Sequence, residues 1–388
     1  MSTHARAGEV LTTSAVSCRV VGEEGELRDW IGFTDRLYAR TPQFIPPVRQ
    51  QLRDFYRREA PYFRYGDIEF LSVVRDGEVV GRTTAHTNSK FDEKVGARHL
   101  LFGFTEFIED DTVVSALVDE LTARAERIGA DRLFGPVNLL PNQAGGVITS
   151  GFDQRGFVDS AYNHAYYRQA YERHGFTRDF EGATFVVPQL QADTTPVEDV
   201  FVFEQERVER EQLEVRRANR KRLAEELEIV RSMLNASFAQ LGYYTHIDAD
   251  ELEYQVEGLS YLLDERIALY LFKAGRPIAF ILCIPDISEF VRATGGNLNL
   301  LNQLRLLLTR KRYRREAIAV IQGTIPEEQG KGYIRLLTRE LLRNLRAAGY
   351  DTLRGTFIEH VNVASSAHFR KISGRPLHGT AFYGRDLA

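Results

Sequence analysis

Thr324-Ile325-Pro326-Glu327-Glu328-Gln329-Gly330-Lys331-Gly332-Tyr333-Ile334-Arg335-Leu336-Leu337 reads as the end of a β-run, a glycine-bearing turn and the first turns of an amphipathic helix. Before it, Ala317 to Thr324 reads as a strand. After it, Ile334 to Ala348 keeps apolar residues at helical spacing until Gly349 stops the helix, and Thr352 to Ile358 is the next strand. Glycines in such a turn let backbone amides approach a ligand, and the helix start adds unpaired N–H groups and the positive end of its dipole. The stretch is therefore a candidate anion cradle. It has neither the GxxxxGK[ST] of a Walker loop nor the GxGxxG of a dinucleotide fingerprint. Taken alone, a plain strand-to-helix turn is the alternative.

Two β-runs, Ile267 to Phe272 and Pro277 to Ile284, precede the cradle and are joined by Lys273-Ala274-Gly275-Arg276. The same order occurs earlier in the chain. Ile68 to Val74 and Val79 to His86 flank Arg75-Asp76-Gly77-Glu78, where Asp-Gly suits a hairpin turn. Val113, Val114, Leu117, Leu121, Ala125 and Ile128 then mark a helix closed by Gly129, and Arg132 to Pro136 is a short strand. Gly129-Ala-Asp131-Arg-Leu133-Phe-Gly135 and Gly349-Tyr-Asp351-Thr-Leu353-Arg-Gly355 share four identities at one offset, 349 − 129 = 220. The repetition predicts two copies of one β-α-β-containing unit.

The 388-residue length fits that reading, at about 100–200 residues per domain. Residues 1–18 are small and polar and are expected to be disordered. A first unit spans 19–187, a linker and a charged helix (Phe203 to Leu227) span 188–228, and a second unit spans 229–388. A net charge of −4 weighs against a protein that coats nucleic acid or anionic lipid. Two basic runs, Arg216 to Arg222 and Arg305 to Arg315, read as solvated helix faces, with a polyanion contact as the alternative. Cys18 and Cys283 have no metal-ligand spacing, so neither a disulfide framework nor a metal site is expected. No run approaches the ~18–20 apolar residues of a membrane span, which makes a cytoplasmic protein without a membrane partner the expectation.

With its hairpin, strand, loop, helix, Gly349, strand and Asn362, the segment 229–388 resembles the GNAT acyltransferase superfamily. The resemblance implies a mixed α/β sheet and two tandem GNAT-like folds. It also implies a loop, written [Q/R]xxGx[G/A] in that family, whose amides hold the pyrophosphate of acetyl-coenzyme A or another acyl-coenzyme A. Gln329 and Gly332 match the pattern, and Ile334 departs from it. The implied cofactor-binding set is Thr324, Ile325, Gln329, Gly330, Lys331, Gly332, Tyr333 and Ile334, with Asn362 near the pantetheine. The N-terminal half resembles the same fold, but Phe102-Gly-Phe-Thr-Glu106-Phe-Ile-Glu109-Asp110-Asp111 sets carboxylates where the loop should be, and these would repel a polyanion. The whole chain resembles a bacterial group of tandem GNAT-like proteins through Val80-Gly81-Arg82, Gly135-Pro136-Val-Asn138, Asn163 with Tyr166-Tyr167, and Pro326 to Gly332.

Acyl transfer needs a base for the acceptor, an amide to polarise the thioester carbonyl and an acid for the leaving thiolate. An amide between Gly323 and Ile325 is the expected polarising group. Many family members carry a Tyr seven residues after the Asn, and here that position is Phe369. Glu359 is the first candidate base and Tyr383 a replacement acid, with His360, His368 and His378 behind them. Asn138, Asn142, Asn163, Tyr166 and Tyr167 are the candidate substrate-binding residues, from a loop rich in amides and aromatics. The expected function is acyl-coenzyme A-dependent transfer, acetyl first among the acyl groups, to a small-molecule amine or hydroxyl acceptor. The runner-up takes its acyl group from charged transfer RNA, resting on the basic runs alone. A non-catalytic scaffold that senses coenzyme A or a metabolite is the third reading.

Overall fold

Runs rich in apolar, β-branched and aromatic residues lay down antiparallel strands in both halves, and the chain then closes them in an order that its sequence does not announce. The computed structural model describes residues 15–141, 143–257 and 262–387. The N-terminal half opens with β1 (Val16–Val20), α1 (Glu24–Leu37), α2 (Arg49–Tyr56), β2 (Gly66–Arg75), β3 (Glu78–Asn88) and α3 (Ser89–Val95). It continues with β4 (His99–Phe107), α4 (Asp111–Ile128), β5 (Arg132–Gly135), β6 (Val147–Ile148), α5 (Tyr166–Arg173) and β7 (Thr177–Val187). After α6 (Val197–Val200) and α7 (Gln205–Arg210), the second half runs β8 (Leu213–Arg217), α8 (Leu223–Phe238), α9 (Ala249–Val256), β9 (Ala268–Lys273) and β10 (Arg276–Pro285). It ends with α10 (Ser288–Ala293), α11 (Leu300–Thr309), β11 (Glu316–Thr324), α12 (Tyr333–Ala347), β12 (Thr352–Glu359), α13 (Val363–Lys371) and β13 (Arg375–Asp386).

All of these strands join one mixed sheet, ordered β1-β2-β3-β4-β5-β13-β7-β12-β11-β10-β9-β8, with β6 on β13. Each half contributes four antiparallel strands and then a parallel pair, β4 with β5 and β11 with β12. The closing strands are exchanged. β13, from the end of the chain, pairs with β5 of the first half, while β7, from the first half, pairs with β12 of the second. β13 and β7 are themselves antiparallel neighbours and form the seam.

The repeated Gly-x-Asp-x-Leu-x-Gly motif sits at equivalent places on either side of this seam. Asp131 N–H donates to Arg98 O and Asp351 N–H to Arg315 O, both at 2.7 Å. The carbonyl of Asp131 then accepts from Leu387 N–H at 3.0 Å and that of Asp351 from Leu190 N–H at 2.8 Å, so each Asp holds the chain within three residues of the end of an exchanged strand. The final glycines are there for room. A Cβ on Gly135 would lie 2.3 Å from Phe102 O, and one on Gly355 would lie 2.4 Å from the Phe369 ring.

Three sequence expectations change. Val16, Ser17 and Cys18, assigned to a disordered terminus, belong to β1 and pair with Arg75, Val74 and Val73; residues 1–14 lie outside the described set. The continuous charged helix from Phe203 to Leu227 does not form. Leu213–Arg217 is instead an edge strand on β9, burying Leu213 and exposing Glu214, because its alternation fits a half-covered sheet better than a helix. It is the counterpart of β1, so the second unit starts earlier in the chain than residue 229.

β13 buries Leu377, Ala381, Phe382 and Tyr383, and each large apolar side chain contributes about 1.5–3 kcal/mol. Neither half can keep that energy alone. We therefore expect calorimetry of the full chain to show one cooperative transition, and a fragment ending after β7 to be unfolded when expressed by itself. Two separate transitions would show that the exchanged strands do not couple the halves.

Candidate functional site

The sequence places two glycines where the chain must turn from β11 into α12, and the backbone uses both in the left-handed region: Gly330 has φ 75° and Gly332, the N-cap of α12, has φ 80°. Gly332 has no side chain with which to cap the helix. Among the described residues, no hydrogen-bond partner is recorded for the amides of Gly330, Lys331, Gly332, Tyr333 or Ile334. A Cβ on Gly330 would meet open space. This run of free N–H groups, exposed at Gly330 and Lys331, at the start of a 15-residue helix fits a phosphate or pyrophosphate group.

The side chains around the loop fix it. Gln329 Nε2 donates to Thr324 O at 3.0 Å, tying the turn back onto its strand. Tyr333 is buried and its hydroxyl donates to Glu211, and Ile334 packs into the core of the second half, so the departure at Ile334 points away from the cradle. Lys331 and Lys273 both reach Glu328, at 2.8 and 3.1 Å, and the hydrogen bond from Lys331 holds that carboxyl below its usual range. The uncommitted cation is Arg335. Its guanidinium Nε lies 3.7 Å from where a Gly332 Cβ would be, and no acidic partner is recorded for it among the described residues. Sequence reasoning passed over Arg335, although a base in the first turn after the glycines was a legible signal.

β11 and β12 pair from Glu316 opposite Thr352 to Ala319 opposite Gly355 and then separate. At that point β11 bulges: Leu282 faces Ile321, Cys283 faces Ala319, and Val320 is the additional residue. This irregularity lies upstream of the amides from Gly323 to Ile325 that were expected to polarise a carbonyl. Ile325 N–H is committed to Ile278 O at 3.0 Å, and the irregular peptide lies at Val320, whose carbonyl accepts from Thr356 Oγ1 at 2.8 Å. On the facing rim stands Glu359, half-buried, its carboxyl pushed above the usual range by burial and eased back by His360. Its charge is felt by Tyr243, whose phenol is pushed up to about 12, chiefly by burial and then by Glu359. Tyr243 carried no sequence signal, because it comes from the loop after α8, far away in the chain.

Other candidates lie elsewhere. Tyr383 is fully buried in the first half, stacked on Tyr171 at 5.2 Å, because β13 crosses to pair with β5. Opposite Gly355, where Tyr383 stands relative to Gly135, the second half has Phe185. Phe185 stacks on Phe369 at 5.2 Å, so neither ring offers a hydroxyl. Asn362 caps α13, accepting from Ser365 N–H at 3.2 Å. His368 stacks on Phe201 and is held neutral, its pKa lowered to about 4 by burial, Lys371 and Arg335. His378 is buried and bonded to Gln154 O, and the backbone of His360 ties β12 to Glu181.

In the first half the corresponding places are filled by the protein itself. Asp110 caps α4, accepting from Thr112 N–H at 2.9 Å, and Arg75 reaches Asp110 at 2.7 Å. β4 bulges after Gly103, and the freed Phe104 N–H donates to Asn138 Oδ1 at 3.0 Å. Asn163 accepts from Ile148 N–H at 2.7 Å. Tyr167 and Tyr38 each donate to buried Glu106 at 2.6 Å, and Tyr166 donates to Phe107 O. The five candidate substrate-binding residues thus divide into four with partners inside this half and Asn142, which lies outside the described residues. No group of three or more His, Cys, Asp or Glu able to hold a metal occurs among the described residues.

No family model matches the chain. Protein YghO of Escherichia coli strain K12 is 24% identical over 369 residues, 94% of each chain. A bacterial ceramide synthase of Caulobacter vibrioides is 23% identical over 298 residues, 74% of each chain. Among solved structures, a tandem GNAT protein from the clavulanic acid biosynthesis pathway superposes with a TM-score of 0.59 at 12% identity, over 96% of this chain and 98% of its own. The fold is the tandem GNAT fold.

Two substitutions test the cradle. Gly332→Asp should weaken binding of inorganic pyrophosphate by about a hundredfold or more in calorimetry, since like charges near 4 Å at a protein surface repel by about 4 kcal/mol. Arg335→Gln should weaken it about tenfold, the worth of a charge-assisted hydrogen bond, and leave the melting temperature unchanged.

Proposed function

We propose that this protein is an acyltransferase that takes an acyl group from acyl-coenzyme A, acetyl first among the acyl groups, and passes it directly to an amine or hydroxyl of a small-molecule acceptor. One observation carries the reading: the second half presents free amides from Gly330 to Ile334, whereas the first half caps the equivalent helix with Asp110. In this reading the amides and Arg335 hold the pyrophosphate. When bound, the coenzyme supplies an acyl group activated as a thioester.

The protein's own groups then have separate tasks. The bulge at Val320 leaves an irregular peptide beside the gap between β11 and β12, and an N–H there is the candidate for stabilising developing negative charge. Glu359 removes the acceptor's proton, a role suited to a carboxylate made more basic by burial. The proton that Glu359 takes up leaves with the coenzyme thiolate, and Tyr243, whose phenol feels the Glu359 charge, is the candidate to relay it. The N-terminal half, its own cradle closed, completes the sheet and walls the site through β7.

A second reading narrows the acyl group and the acceptor. Val320 on β11, Val361 in the turn after β12 and Val363 at the start of α13 are exposed beside the gap, which favours an apolar chain there. A ceramide is a long-chain amide, so the relative named a bacterial ceramide synthase supports amide formation from a long-chain acyl donor. The transfer-RNA reading is weakened in its first basic run, where Arg216 pairs with Glu214 at 3.3 Å, Arg220 with Glu265 at 3.6 Å and Arg222 with Glu225.

Release of free thiol from acetyl- and long-chain acyl-coenzyme A, measured across a panel of amines, tests the proposal. Absence of coenzyme binding at high micromolar concentration would refute it, and binding without turnover would favour the sensing scaffold. If Glu359 is the base, kcat/KM should rise with pH through an inflection above 4.5, and Glu359→Gln should remove that inflection. The sign of the stability change is fixed as well. A raised carboxyl favours the folded state when protonated and loses that advantage as pH rises, so Glu359→Gln should melt no lower than wild type at neutral pH.

A further inference from the structure

Between Glu289 and Glu316 the sequence contains no acidic residue and seven basic ones, Arg292, Arg305, Arg310, Lys311, Arg312, Arg314 and Arg315, in a chain whose net charge is −4. This segment is the insertion that joins β10 to β11, and α11 lies within it. One side of α11 is anchored. Leu306 is fully buried with Phe290 and Val291 of α10, and Arg49 clamps the preceding turn through Gly295 O and Gly296 O.

The opposite side is bare. Leu300 is 83% exposed, Leu301 74%, Leu304 53% and Leu308 77%, and Leu307 is exposed beside them. At ~100° per residue these five leucines fall within an arc of about 120°, centred opposite Leu306. An exposed leucine stripe is costly in water unless something covers it. The helix is followed directly by Lys311, Arg312 and Arg315, all exposed and with no acidic partner recorded among the described residues.

We propose that α11 seats this protein on an anionic lipid surface, with the leucine stripe entering the apolar boundary and the basic run meeting acidic headgroups. Charge selects this occupant. A second copy of the chain would bring seven positive charges against seven, and an RNA would leave the leucines uncovered. The inference concerns a helix that lies on a bilayer; among the described residues no helix is long and apolar enough to cross one. It stands independently of acyl transfer.

The test is co-sedimentation of the full chain with vesicles of phosphatidylcholine alone and of phosphatidylcholine mixed with phosphatidylglycerol. Wild type should pellet with the anionic vesicles and be released by salt. K311Q/R312Q/R315Q should lower the partition about a hundredfold, at about fivefold for each basic residue near the surface. L301Q/L304Q/L308Q should lower it at least about tenfold, and because all six positions are exposed, both variants should melt like wild type. Three results would overturn the proposal. One is wild type remaining in the supernatant with both vesicle types at low salt. Another is a dimer in sedimentation that the leucine variant dissociates, without binding to vesicles. RNA retention lost in the basic variant, again without vesicle binding, would assign the face to nucleic acid.

Discussion

The ladder between β13 and β7 is the constraint on which the molecule rests. Through it each half receives its closing strand from the other, and two sheets become one. Its first consequence is geometric: the gap between β11 and β12 is bordered beyond β12 by β7, so the first half shapes the candidate site without lending it a catalytic group. Its second is chemical. The exchange carries Tyr383 into the wrong half to act as an acid and puts Phe185 in the equivalent place.

The two halves share one frame and differ in whether its backbone amides are spent. Both have a bulge in the fourth strand of their unit, a helix after it and a parallel partner strand. In the first half, Asp110 satisfies the helix start and Asn138 takes the bulge amide, so the groups that could meet an anion and a carbonyl are spent internally. In the second, glycines replace the cap and the amides stay free. The difference lies in a few side chains and not in the fold.

Much of this could be read from the residues. The hairpin turns, the helix stops at Gly129 and Gly349 and the cradle from Gln329 to Gly332 are local signals, each set by turn or capping preferences. The offset of 220 marked the repeat because the shared Asp and Gly meet the same backbone demands in both halves. The strand exchange was not legible, because β13 and β7 have patterns that fit either sheet and only long-range pairing decides between them. The charged stretch around Leu213 misled for a related reason: five residues of weak alternation cannot outvote a run of helix-favouring Glu and Arg until a sheet edge offers them hydrogen bonds. Tyr243 and Glu359 are 116 residues apart (359 − 243), and nothing in either neighbourhood points to the other.

The exchange also sets an order in time. β5 ends at Gly135, and the strand that covers its edge ends at Asp386, 251 residues later (386 − 135). At synthesis rates of about 5–20 residues per second, the nascent first half carries an open strand edge for about 12–50 s, with its permanent neighbour not yet made. Unpaired edges recruit other strands. During that interval the chain is open to pairing with the wrong partner, a hazard set by the order of its strands and not by the stability of the finished sheet.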